Sequence, residues 1–375
     1  MSKRRYAVIG AGHGGKAMAA DLAARGFSVS LYSRGPEDVR EVALRRAIEL
    51  ECEDGTVHDC RLDVVTSDIP EVLDGADVIM VVLPASAHRD IARLCAASLR
   101  SGQIVILNPG RTGGALEFRR ILSQMGCPGG VIVAETATFL FGSLSTGPAQ
   151  ARIVRRKNAV PLAALPAIHT DQVLEAVHDA LPQFIPAANV LHTSLDNMGA
   201  VFHPALTLLN ASWIERTLGA FDFYIDGVTP STARVLEALD RERVSVASAL
   251  GVQVRPALVW LKDAYSAEGE TVYEAMQANV GYVGIKAPRT LRHRYLLEDV
   301  PFSLVPLASL GAQFGIETGA TEAMIRLASL VHGTDYFGRG RNVEDMGLKG
   351  LRADEVKQFV QVGEHRPVLG TGGVE

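Results

Sequence analysis

The stretch RYAVIGAGHGGKAMAADLAARGFSVSLYSRG, residues 5–35, passes from a short apolar run through a glycine cluster into an alanine-rich segment, then into a second short apolar run. Strand, glycine turn, helix and strand in that order predict a βαβ unit, with Gly26 as the helix stop. In the turn, Gly10-Ala11-Gly12-His13-Gly14-Gly15 keeps the G-x-G-x-x-G spacing. Gly10 permits a tight turn, Gly12 lets the backbone approach a pyrophosphate, and Gly15 lets the helix pack closely. The helix N-terminus then offers N–H groups and a partial positive charge to an anion. The spacing alone is weak evidence, and a ligand-free glycine turn is the competing reading. Its place between strand and helix makes dinucleotide binding the expectation, with Gly10, Gly12, His13, Gly14 and Gly15 as the contacts.

The second strand ends at Ser33 and Arg34. A site specific for NAD offers a carboxylate here to the ribose 2′-OH, whereas a guanidinium matches a 2′-phosphate in charge and shape. NADP is therefore the expected cofactor and NAD the second choice. The alternative is a surface Arg34 stacking on the adenine of either.

Outward from this unit, LDVVTSD, DVIMVVLPA, QIVILNPG and GVIVAETAT read as further strands, with HRDIARLCAASLR and GALEFRRILSQMG as helices between them. AQARIVRRKNAVPLAALPA adds one or two strands and a bridge. Alternation of this kind predicts an α/β Rossmann-type domain with a doubly wound parallel sheet. LPASAH follows a strand, so Leu83 and Pro84 are expected against the cofactor. NPGRTGG follows another, and His88 and Arg111 read as structural or peripheral. After about residue 188 the period changes to 3.6, as in STARVLEALDRERVSVASALG, PALVWLKDAYSAEGETVYEAMQAN and TEAMIRLASLVHG. An all-α C-terminal domain is expected there. The expected division is a dinucleotide domain over 1–187, a helical domain over 188–363 and a flexible, Gly-rich tail over 364–375.

Composition narrows the function classes. The chain has 375 residues, with 47% hydrophobic and 21% charged, which suits two globular domains. Lys and Arg total 37 against 42 Asp and Glu, giving −5, and no basic tract occurs. That argues against a nucleic acid or acidic membrane partner. ADVIMVVLPA is strand-sized, so no membrane span is expected, and the N-terminal apolar run is too short for a signal-peptide core. Cys52, Cys60, Cys95 and Cys127 form no CxxC pair and have no His at metal spacing. They read as reduced thiols of a cytoplasmic protein, with no metal site.

NMGAVFHPALTLLNA, residues 197–211, sets His203 in an apolar, helix-like run with Pro204 after it and Asn197 before it. His203 is either a hydrogen-bonded core residue or a proton donor. LRHRYLLEDVPFSLVPLASLG, residues 291–311, crowds Arg292, His293, Arg294, Glu298 and Asp299 against an apolar run. A carboxylate on one imidazole nitrogen would fix the tautomer and make histidine a good general acid for carbonyl or imine reduction. Arg294 could clamp a substrate carboxylate. Surface salt bridges are the simpler alternative.

The combination of NPGRTGGALEF, NMGAVFHP…LLNA, FYIDGVTPS…VLEALDRERVSVASALG and GIKAPRTLRHRYLLEDVPFSLVPLASLG resembles the opine dehydrogenases. These are the octopine/nopaline dehydrogenase family, which includes the bacterial carboxyethyl-norvaline dehydrogenase. The resemblance runs from about residue 4 to 350. It implies a Rossmann domain followed by a helical domain of the 6-phosphogluconate-dehydrogenase-like, opine dehydrogenase type. It further implies an NAD(P)H-dependent reductive condensation of an amino acid with an α-keto acid, often pyruvate. By the same resemblance, His203 and Asp299 fall on the catalytic pair and Arg294 on the keto-acid carboxylate anchor. Asn197 is a further substrate-contact candidate, and a homodimer is a candidate assembly. One departure concerns the substrate: many members carry Tyr and Arg shortly after the E-T-x-T stretch. Here ETATFLFGSLSTG has Phe141 and no Arg before Arg152.

The mechanism expected from these readings places the substrates in a cleft between the domains. Two other classes compete with it: an NADP-dependent 2-keto or hydroxy acid reductase with no amine substrate, and a non-catalytic NADP sensor. Glycerol-phosphate and ketopantoate reductases rely on a catalytic lysine, and none lies around His203.

Overall fold

Arg5–Ile9 (β1), His13–Ala24 (α1) and Ser28–Tyr32 (β2) form the βαβ unit, with β1 and β2 parallel and Tyr6 paired with Val29. The structure, a computed structural model, describes residues 3–363. The expected tail over 364–375 therefore lies outside the described residues. These divide into two compact units at Ser194/Leu195, later than the expected 187/188.

In the first unit the chain continues through Pro36–Arg45 (α2), Ala47–Glu51 (β3), Val57–Arg61 (β4), Val64–Thr66 (β5) and Ile69–Leu73 (α3). Next come Val78–Val81 (β6), His88–Ala96 (α4), Ile104–Leu107 (β7), Gly114–Gln124 (α5) and Ile132–Thr136 (β8). Phe141–Gly147 (β9), Gln150–Arg156 (β10), Val160–Leu165 (β11), Thr170–Val177 (α6), Phe184–Pro186 (β12) and Val190–Leu195 (α7) complete it. The main sheet has eight strands in the order β12-β11-β8-β7-β6-β1-β2-β5. Strands are wound outward on both sides of β1, as the alternating pattern predicts.

The expectation of a wholly parallel sheet needs one correction. β11 runs antiparallel to β8, with Leu162 opposite Thr136, and β12 then pairs parallel to β11. A parallel return needs a crossover element. Between β8 and β11 the chain instead makes the β9–β10 hairpin, which belongs to a second sheet ordered β4-β3-β10-β9.

That second sheet explains α1. Its residues from Gly15 to Leu22 are all buried, so it has no solvated face. A helix apolar nearly all round is covered on more than one side. The polar groups it carries are satisfied locally. Lys16 Nζ donates to the Pro148 carbonyl at 2.7 Å and to Ser145 Oγ at 3.3 Å, both in the β9–β10 region. Buried Asp21 accepts from Arg25 and from the Arg156 guanidinium, and Arg156 also lies over the Phe141 ring at 4.7 Å.

Glu135, fully buried at the end of β8, explains the later division point. It accepts from the Ala115 N–H at 2.8 Å, Thr193 Oγ1 at 2.7 Å and Ser194 Oγ at 2.9 Å. These bonds tie residues 193–194 to the first unit.

The second unit is helical: Met198–Leu209 (α8), Ala211–Thr217 (α9), Pro230–Ala249 (α10), Ala257–Tyr265 (α11) and Val272–Ala278 (α12). Arg294–Leu297 (α13), Val305–Phe314 (α14), Gly319–His332 (α15), Tyr336–Arg339 (α16) and Ala353–Val362 (α17) follow. A π-helical turn, Val300–Leu304, joins α13 to α14. α10 opens with a Thr229/Thr232 capping box and Pro230 in its first turn. The single helical period read over 256–279 is broken into α11 and α12. Ser266 closes α11 in the left-handed region, and a side chain at Gly269 would meet the Ala275 N at 2.5 Å. Leu206, Phe223, Leu236, Leu261, Leu296, Val300 and Ile325 anchor the core here. No helix among the described residues is long and apolar enough to cross a membrane.

Candidate active site

In the first unit, Gly10 adopts φ +116°, and a Cβ there would lie 2.4 Å from the Val82 carbonyl and 2.8 Å from Leu83 Cδ2. The turn is thus open only to glycine, and it brings Leu83 against Gly10. A Cβ at Gly15 would meet the Gly10 carbonyl oxygen at 1.7 Å, so this glycine lets α1 start directly on the turn. At Gly14 the Phe139 ring leaves 3.0 Å. Gly12 differs: nothing lies within 4 Å of a Cβ placed there. That open face, at the N-terminus of a helix with no acidic residue in its first turn, fits a pyrophosphate.

His13 heads α1 and is exposed, and its Nδ1 accepts from the Ser145 N–H at 2.7 Å. The β9 strand is therefore anchored beside the glycine turn, which the sequence did not suggest. At the end of β2, Ser33 is buried and its hydroxyl donates to Asp38 Oδ2 at 3.3 Å. Arg34 is exposed next to it. Leu83 is half-buried and Pro84, exposed, precedes the single turn Ala85–Ala87. Phe141, the departure noted above, is buried against Phe139 with Arg156 over its ring, so it faces the interior of this unit.

In the second unit the sequence brings His203 and Asp299 together from 96 residues apart. His203 Nδ1 lies 2.8 Å from Asp299 Oδ2. Asp299 is fully buried at the head of the π-helical turn, while the His203 side chain keeps 19% of its surface exposed. Two features of α8 set the imidazole. Pro204 inside the helix removes the backbone donor that would serve the Ala200 carbonyl, and the Thr207 hydroxyl donates separately to the His203 carbonyl at 2.7 Å. Gly199, one turn earlier, leaves room for the ring: a Cβ there would stand 3.0 Å from His203 Cε1 and 3.2 Å from Nδ1.

Asn197 caps α8. Its Oδ1 accepts from the Gly199 N–H at 3.1 Å and its Nδ2 donates to Ser303 Oγ at 3.4 Å, so the amide is engaged at both ends. Asp196 beside it accepts from the Arg255 backbone at 3.0 Å and from its guanidinium at 2.6 Å. Arg294 is not drawn onto His203. It is 58% exposed, and it pairs with Glu298 at 3.3 Å one turn along.

The aromatic surround of His203 was missed in the sequence. Tyr295 stacks on the imidazole with centroids 4.0 Å apart and planes 17° apart, and Tyr224 sits at 6.5 Å. His293 meets the Tyr295 ring edge-on at 4.4 Å. Burial, aided by nearby Arg294 and His203, holds the His293 pKa below its ordinary value against the pull of Asp299. Only the spacing of Tyr295 within HRYLLED, one helical turn before Asp299, could have hinted at its place.

Among the described residues, no group of three or more His, Cys, Asp or Glu is placed to hold a metal ion. All four cysteines are free, and burial pushes the Cys60 and Cys95 thiols up to about 12, far from a reactive thiolate.

Residues 186–332 match the model for the NAD/NADP octopine/nopaline dehydrogenase alpha-helical domain. Residues 5–110 match that for the NAD-dependent glycerol-3-phosphate dehydrogenase N-terminus. The opine dehydrogenase of Arthrobacter sp. (strain 1C) is 41% identical over 363 residues, covering 96% of this chain and all of that protein. Among solved structures, octopine dehydrogenase with NADH and L-arginine superposes with a TM-score of 0.80 at 20% identity, over 97% of this chain and 100% of that one. NADP+-bound yersinopine dehydrogenase superposes at 0.73 and 16%, over 96% and 98%. With His203 and Asp299 lying inside the matched helical domain and near-complete coverage at 41% identity, the chain belongs to the opine dehydrogenase family, NAD(P)-dependent oxidoreductases acting on CH–NH bonds.

Proposed function

We propose that the chain condenses the amine of an amino acid with a pyruvate-like α-keto acid, reduces the product to an N-(carboxyalkyl) amino acid, and runs the reverse oxidation. The observation carrying this is the 2.8 Å His203–Asp299 contact inside the matched helical domain. NAD(P)H, when bound, supplies the hydride. Gly10, Gly12, His13, Gly14 and Gly15 hold its pyrophosphate, with Leu83 and Pro84 beside it. Ser33 and Arg34 face its ribose, and Arg34 favours NADP through a 2′-phosphate.

With Nδ1 committed to Asp299, His203 exchanges protons with substrate through Nε2. As the amine adds to the keto carbon, His203 protonates the carbonyl oxygen; loss of water then leaves a protonated imine. Hydride addition at the imine carbon gives a secondary amine. In oxidation His203 takes the proton back. Asp299 keeps the imidazole in one tautomer and stabilises its charged form. Arg294, exposed on its outer side, holds the keto-acid carboxylate in place of its contact with buried Glu298. Asn197, its amide already bonded at both ends, serves the substrate by fixing where α8 begins.

The reductase reading without an amine draws less support, because the family match falls on the helical domain that holds the His203–Asp299 pair. The deciding assay follows NADPH and NADH oxidation with pyruvate, 2-oxoglutarate and glyoxylate against all amino acids, with mass spectrometry of the coupled product. Oxidation that needs only the keto acid would sink the amine-dependent reading. Cofactor binding without turnover on any pair would favour a sensor.

A further inference from the structure

The His203 imidazole is braced from two directions. Asp299 takes its Nδ1 at 2.8 Å, and Tyr295 covers one face at a 4.0 Å centroid distance. Tyr295 is itself fixed. The Tyr224 hydroxyl bonds its side chain, the Phe223 ring lies near-parallel to it at 5.4 Å, and the His293 ring abuts its edge. Its backbone N–H donates to His293 Nδ1 at 3.4 Å, which holds the start of α13.

A single hydrogen bond to Nδ1 leaves an imidazole able to swing about that contact. A 17° stack removes that freedom, and an aromatic face also favours the positive charge that histidine carries when it is ready to donate a proton. We propose that Tyr295 is a positioning residue that keeps the His203 ring in the plane from which Nε2 reaches the substrate. This rests on the acid–base role of His203 proposed above, and it adds a ring that works only by its face. The Tyr224 hydroxyl bonds the Tyr295 side chain, and the effect is assigned to the aromatic face, which Tyr295→Phe preserves while removing the hydroxyl.

The test compares Tyr295→Phe, Tyr295→Leu and Tyr295→Met in the full chain. Tyr295→Phe keeps the face and is expected to retain at least roughly a third of kcat. The two non-aromatic variants are expected to lose about tenfold or more in kcat, with KM for the keto acid changing less than about threefold. An activity-independent signal accompanies this. In 15N-histidine-labelled protein, the proton between His203 and Asp299 should give a far-downfield resonance, assigned by its loss in His203→Ala. It should persist in Tyr295→Phe and broaden or vanish in Tyr295→Leu and Tyr295→Met. Retention of both resonance and kcat in a folded non-aromatic variant overturns the inference. If neither non-aromatic variant folds, Tyr295 is a core residue and the inference also falls. Should His203→Ala keep full turnover, the acid–base reading fails instead, whatever the Tyr295 variants do.

Discussion

Buried Asp299 holds His203 Nδ1 at 2.8 Å, and the two come from separate helical segments 96 residues apart. A fully buried carboxylate needs a partner, and here the partner is a histidine whose side chain still keeps some exposure. That pairing is wasteful in a purely structural role, where an apolar pair of similar volume would serve as well.

The pair should therefore act as a unit. His203→Ala is expected to lower kcat by about a hundredfold or more, the usual scale for losing a general acid–base. Asp299→Asn, of the same shape, should lose a comparable factor by permitting the wrong tautomer. The double variant should be no slower than His203→Ala alone, since the carboxylate works only through the ring. Circular dichroism and kcat on the three proteins check this; additive losses would show that the two residues act separately.

Gly199→Ala separates stability from activity. The exchange relieves an unfavourable helix residue, which favours folding by up to about 1 kcal/mol. Its new methyl, however, would stand 3.0 Å from His203 Cε1 and 3.2 Å from Nδ1. The ring must shift by a few tenths of an ångström, off the Asp299 contact. A Tm changed little, because the weakened partner of buried Asp299 offsets the helix gain, with kcat reduced about tenfold is the expected pair of results. Unchanged kcat would mean the imidazole needs no such placement.

For the cofactor, Arg34→Ala should raise KM for NADPH by about tenfold or more, the worth of a charge-assisted bond to a phosphate. KM for NADH should change little. Arg34 is exposed beside the Ser33–Asp38 contact, so its replacement disturbs no packed residue and the two KM values report on the cofactor alone. Equal losses with both cofactors would point to adenine stacking, and no loss with either would make Arg34 peripheral.

The βαβ unit could be read directly because each of its glycines has a local reason: a positive φ at Gly10, a helix start at Gly15, an open face at Gly12. The second sheet could not. Val57–Arg61 is exposed at all but Cys60, so it shows no buried alternation, and the β9–β10 hairpin acquires its place only by covering α1. Pro36 and the acids Glu37 and Asp38 carry the start of α2 in the sequence itself. At the site, the charged residues could be picked out because charges beside an apolar run demand an explanation. Tyr295 and Gly199 could not, because a ring stack and the lack of a methyl are properties of packing and carry no periodic signature. Arg294 shows the opposite limit: the family resemblance placed it on a substrate carboxylate, while its observed contact is the Glu298 carboxylate one turn away.

The last expectation concerns acid. Burial, with Arg294 and His203 nearby, holds the His293 pKa below its ordinary value, and Asp299 only partly offsets this. The unfolded chain therefore takes up the proton first as pH falls. Its stability contribution is intact above the unfolded value of about 6.5 and declines as pH drops from there to the lower folded value. Geometry gives the same sign, because His293 Nδ1 accepts from the Tyr295 N–H at 3.4 Å and can do so only while unprotonated. Protonation would thus loosen the start of α13, which carries Tyr295. Asn accepts the same backbone donor without titrating and is a favoured N-cap residue. His293→Asn should match the wild type in Tm at pH 7.5 and exceed it at pH 5, at equal ionic strength. His332, whose pKa burial also lowers, should leave a residual slope in both proteins. Parallel Tm curves for the two across this range would rule His293 out as a source of acid sensitivity.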